Sequence, residues 1–170
     1  MSIRKRMLLP LLALGFGVGC GGGAQSHVES EWSIDQRSYN LGGIGAFAEM
    51  VGAGVKRLAL SAPLDPDEMD IIAGEAERIA DNHGVEVYRE TDFLVTDLFA
   101  ASLTEGKHVL LICTAPTREE YMALKALKQQ FVDAGQYDAD ARLEIATRMG
   151  ELLSYSEEKI GALLDAEGGE

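Results

Sequence analysis

Five polar residues are spaced so that strand ends would gather them: Ser61, Glu90, Asp92, Asp97 and Thr114. Ser61, the Glu90-Thr91-Asp92 group and Thr114 each follow an apolar stretch that reads as a strand. In an open parallel sheet, ligands bind beyond the carboxyl ends of the strands. Hydroxyls, carboxylates and the nearby Thr117 and Arg118 would together hold a polar ligand at that edge. Glu90, Asp92 and Asp97 are also oxygen donors of the kind calcium and magnesium take, with His108 available as a base. No twelve-residue calcium loop surrounds them, so no metal is assigned. The plainer reading makes them turn and cap residues on an acidic surface.

Other chemistries lack their motifs. Ser61, within Leu60-Ser61-Ala62, has no G-x-S-x-G elbow around it. Gly43, Gly45 and Ala48 fit the dinucleotide pattern G-x-G-x-x-A, but the pattern requires a preceding strand, and residues 33–40 make a poor one. The glycine loop that cradles phosphates is missing, so Thr91-Asp92 with Lys107 does not support phosphoryl transfer. The three histidines are scattered: His27 near the start, His83 at a helix end, His108 opening a strand. Cys113 lies within Val109-Leu110-Leu111-Ile112-Cys113 and reads as a small core hydrophobe. No catalytic residue and no cofactor is implied.

The elements that position these residues follow from periodicity and caps. Strands are expected at Val55–Leu60, Val85–Tyr88 and His108–Cys113, the last apolar enough to be central. Phe93–Phe99 reads either as a strand paired back on its neighbour or as a helical turn packed on the core. Asp65, Pro66 and Glu68 form a capping box with proline at the first helical position. The helix they open ends at Asn82-His83-Gly84. Thr117 and Glu120 read as a second capping box, and Leu41–Val55 carries helical spacing despite its glycines. Two more helices follow from Asp138 to residue 166. The first two strands are joined by a helix, which predicts a parallel pair. The expected fold is α/β: a small, mostly parallel sheet of three or four strands, flanking helices and a helical C-terminal segment.

The start of the chain sets its compartment. Arg4, Lys5 and Arg6 precede an uncharged run from Met7 to Val18, and Gly17, Val18 and Gly19 lead into Cys20. A basic start, a short apolar core and small residues before a cleavage point define an export signal. The run is shorter than the roughly 20 residues of a membrane-spanning helix. Val18-Gly19-Cys20 and the tether that follows resemble bacterial lipoproteins, although Gly17 stands where that family usually has leucine. The resemblance implies cleavage before Cys20 and a diacyl or triacyl anchor on it, and stable anchoring takes more than one chain. Gly21 resembles lipoproteins passed to an outer membrane where the cell has two membranes. The expected organisation is a signal over 1–19, an anchored tether over 20–38, one domain over 39–166 and a frayed tail over 167–170.

The chain holds 15 basic and 28 acidic residues, a net charge of −13. Without residues 1–19 it keeps 12 basic and 28 acidic ones, or −16. Such a surface argues against nucleic acid and against charge-driven binding to acidic lipid. Two readings of the mature domain remain. In the first it is a lipid-anchored binding or scaffold module with a protein partner in the envelope, residues 138–166 offering surfaces. In the second it is an envelope hydrolase or metal-dependent enzyme using the acidic residues at the sheet edge.

Overall fold

The computed structural model describes residues 35–167. Of the expected segments, the signal over 1–19, Cys20, residues 21–34 of the tether and residues 168–170 of the tail lie outside the described residues. Three strands, β1 (Leu58–Leu60), β2 (Glu86–Glu90) and β3 (Val109–Cys113), form one sheet in the order β1-β3-β2. Both pairings are antiparallel, with Leu58 and Glu86 opposite Cys113 and with Leu60 and Tyr88 opposite Leu111. The expected mostly parallel sheet is therefore overturned. β1 and β2 do point the same way, but they never pair, because β3 runs between them. The connection from β2 to β3 (91–108) contains no α-helix that would carry the chain across the sheet. β3 therefore starts at the edge where β2 ends and returns.

Five consecutive buried apolar residues in β3 reflect covered faces, not strand direction. Leu110 and Ile112 face one cluster with Ala59, Met69, Ile72 and Ile44. Val109, Leu111 and Cys113 face the other with Leu58, Tyr121, Ile145 and Met149. The first layer is α1 (Gln36–Gly52) and α2 (Pro66–Asn82), and the second is α3 (Ala115–Asp133), α4 (Ala139–Leu152) and α5 (Glu157–Glu167). A continuous apolar run usually marks a parallel strand because helices cover both faces of parallel sheets. Here helices cover both faces of an antiparallel one.

The helix starts follow local chemistry. Asp35 caps α1, its side chain accepting the Ser38 N–H at 3.2 Å. In α2 the Glu68 carboxylate accepts the Asp65 N–H at 3.2 Å, while Asp65 itself pairs with Lys107 at 2.7 Å. α3 begins at Ala115 with Thr114 as the N-cap, so Thr117 sits inside its first turn and does not cap it. Gly52, in the last turn of α1, lies so close to α2 that an added Cβ would stand 2.5 Å from the His83 carbonyl oxygen. The turn after α4 is tied to the start of β1. Lys56 Nζ donates to the Leu153 carbonyl at 2.7 Å and the Arg57 N–H to the Ser154 hydroxyl at 2.9 Å.

Cys113 is fully buried at the end of β3. Burial, helped by the negative charge of Glu86 and opposed by Arg118, pushes its thiol up to about 11. The thiolate is the reactive form. In a chain carrying Cys20→Ser, Cys113 should therefore react with thiol reagents at pH 8 only as fast as the whole domain unfolds. Reaction faster than unfolding, read by stopped denaturant jumps, would contradict this. The sign with pH follows from proton binding. Above about pH 9 the unfolded chain releases a proton that the folded one keeps, so stability falls as pH rises from 9 to 11.

Candidate functional site

The antiparallel order separates the residues that a parallel sheet would have gathered. Ser61 and Glu90 lie at the edge where β1 and β2 end and β3 begins, whereas Thr114 follows β3 at the opposite edge. There the Thr114 hydroxyl meets that of Thr117 at 3.2 Å, and Arg118 pairs with Glu86 at 3.1 Å. Thr114 is a cap residue. Ser61 extends the β1–β3 ladder: its N–H donates to the Leu110 carbonyl at 3.0 Å, and its hydroxyl accepts the Leu110 N–H at 2.9 Å. That hydroxyl also donates to the Ala62 carbonyl at 2.9 Å. It is a structural hydroxyl, held by two backbone groups.

Glu90 is the unusual member. Its side chain is only 4% exposed, and a buried carboxylate is expensive unless paired. Oε1 accepts the Asp92 N–H at 2.9 Å and the Lys125 ammonium at 3.2 Å. Oε2 has no hydrogen-bond partner among the described residues. Lys125 also pairs with the Asp92 carboxylate at 3.0 Å and donates to the Asp92 carbonyl. Burial works against the Lys125 charge, but the hydrogen bond it donates to Asp92 and the charge of Glu90 outweigh it, so its pKa lies above the usual lysine range. Tyr121, one helical turn earlier, accepts the Leu94 N–H at 3.0 Å. Burial first, and then the neighbouring Glu90 charge, push its phenol well up.

These contacts explain Phe93–Phe99, which is neither strand nor helix. An irregular segment with buried Phe93, Leu94, Thr96 and Leu98 must still satisfy its backbone. Tyr121, Lys125 and Lys128 stand at i, i+4 and i+7 on one face of α3. They serve the Leu94 N–H, the Asp92 carbonyl and, at 2.7 Å, the Val95 carbonyl. The α3 side chains thus do what a neighbouring strand would do.

The remaining candidates disperse. Asp97 pairs with Arg142 of α4 at 3.0 Å, away from the Lys125 centre. His108 Nδ1 accepts from Arg89 Nε at 2.9 Å, and Arg89 also pairs with Asp70 of α2. Glu90 and Asp92 share a lysine, Asp97 has an arginine, and His108 is held by Arg89, so the four do not converge on one centre. Among the described residues no group of three or more His, Cys, Asp or Glu is placed to hold a metal ion. Tyr121 and Lys125 are the functional-edge residues that sequence reasoning missed. Their spacing with Lys128 is helical, but Tyr121 also falls in the apolar pattern with Leu124, which gives no sign of a polar role.

Two clefts open at this edge. An apolar slot of about 170 Å³ is walled chiefly by Leu60, Pro63, Phe93, Phe99, Leu103 and Val109. A wider cleft of about 420 Å³ holds Thr91, Asp92, Thr104 and Glu105. Phe93 and Thr104 line both. A further cleft of about 560 Å³ lies between the first half of α1 and Ser61-Ala62. No protein-family model, curated protein or solved structure matches this chain.

Proposed function

We propose that this chain is a lipid-anchored protein of a bacterial cell envelope whose mature domain is a binding module. The observation that carries the reading is the N-terminal pattern: three basic residues, an uncharged run and Gly19-Cys20. The domain's candidate polar residues support a non-catalytic role, because the fold itself employs them. Ser61 completes a ladder, Asp97 holds Arg142, and Glu90 with Asp92 holds Lys125. The surface is anionic, so attachment rests on the acyl chains and not on attraction to acidic headgroups. Partners come to the domain at the membrane surface, either a protein of the envelope or a ligand in the clefts at the sheet edge.

The anchor is tested by growing cells with a clickable fatty acid and comparing the natural chain with Cys20→Ser. The natural chain should take the label and sediment with membranes. Cys20→Ser should lose the label and move to the soluble fraction. Labelling that survives the substitution, or a natural chain that never takes the label, would remove the lipoprotein reading.

A further inference from the structure

We propose that the two adjoining clefts at the β1–β2 edge form one site for a small amine bearing a ring or branched alkyl group; this names the ligand class of the binding module proposed above. The slot supplies the apolar half. Its only polar residues are Ser61 and Thr104, and the Ser61 hydroxyl is committed to Leu110 and Ala62. A charged group placed there would lose hydration for at most the Thr104 hydroxyl. At about 170 Å³ the slot has the size of a benzene-sized group; a dry cavity of about 150 Å³ lined by aliphatic and aromatic side chains binds benzene.

The wider cleft supplies the charged half. Among the described residues its lining carries two carboxylates, Glu105 and the Lys125-paired Asp92, two threonine hydroxyls and no basic side chain. Lys107, the basic residue nearest Glu105 in the chain, is paired with Asp65 at 2.7 Å. Lys125 is spent on Glu90 and Asp92. An ammonium is therefore attracted and a carboxylate repelled, and the net charge of the chain acts in the same direction. Phe93 and Thr104 line both clefts, so the two adjoin, and the proposed ligand places its ring in one and its nitrogen in the other.

The experiment uses the mature chain with Cys20→Ser and follows thermal unfolding with three compounds. Phenethylamine carries both halves, 3-phenylpropionate replaces the ammonium by a carboxylate, and methylamine keeps only the charge. A ligand that binds the folded state raises the melting temperature with concentration. Phenethylamine should do so saturably, and the other two should not. Leu103→Trp fills the slot from a side chain that is 56% exposed, so the domain should still melt cooperatively while the phenethylamine shift disappears. Glu105→Gln should weaken the binding about fivefold, the worth of one exposed charge pair. Equal protection by 3-phenylpropionate, no protection by phenethylamine, or an undiminished shift in Leu103→Trp would overturn the site. The anchor-free chain is used throughout, so failure here leaves the fatty-acid labelling result standing on its own.

Discussion

Replacing Lys125 with methionine is expected to lower the unfolding free energy by about 2–3 kcal/mol, the upper part of the cost of leaving a buried acceptor without its partner. Methionine keeps the length and apolar stem of lysine, so packing changes little. What disappears is the charge that sits 3.2 Å from Glu90, whose side chain is 4% exposed. Oε2 already lacks a hydrogen bond, and without Lys125 the carboxylate keeps only the Asp92 N–H. The Asp92 carbonyl loses its donor in the same step. The double variant Glu90→Gln with Lys125→Met should recover most of the loss, because it removes the charge instead of stranding it. Urea unfolding measures both through the midpoint at unchanged slope. A loss below about 1 kcal/mol in the single variant would mean that the pair is only a surface one.

Gly52→Ala should destabilise by about 2–3 kcal/mol, against the helix preference of the new residue. In an open helix position alanine is worth up to about 1 kcal/mol over glycine. At Gly52 the added methyl would meet the His83 carbonyl oxygen at 2.5 Å. The obstacle is backbone, so α1 and α2 must separate at a contact that also seats Val51 and Ala80 in the core. Gly42 lies in the same helix with nothing within 4 Å of its Cβ position. Gly42→Ala should therefore stabilise by about 0.5–1 kcal/mol. Opposite signs for one substitution ten residues apart in a single helix test the close approach directly. Matching signs in urea unfolding would show that the helices have room to adjust.

Much of the fold is legible in the residues. Asp65-Pro66-Asp67-Glu68 announces the start of α2, and the run Val109–Cys113 announces the central strand. Strand direction is not legible there, because β3 alternates between two covered faces in either orientation. It is encoded instead by what is missing from 91–108: no helix long enough to cross the sheet. That one reversal moves Thr114 to the far edge and dissolves the expected cluster. Glu90 and Asp92 do share a site, but its organiser is Lys125, from a helix more than thirty residues later. Such a pairing is set by tertiary packing and has no local pattern. Thr117 misled for a related reason: with Glu120 it satisfies the capping-box spacing, yet Thr114, three residues earlier, takes the cap.

The placement of β3 between β1 and β2 shapes how the chain acquires its structure as it emerges from its N-terminus. Leu58 pairs with Cys113 and Leu60 with Leu111, so β1 waits for partners some fifty residues downstream. Until residues 109–113 have emerged, β1 and β2 have no ladder to join and expose open edges, a state prone to wrong pairing. Loop closure must precede any reward from the sheet, which slows folding. A chain that emerges N-terminus first would thus remain without a sheet through nearly two thirds of its length. It would then close in one late step, when the central strand arrives.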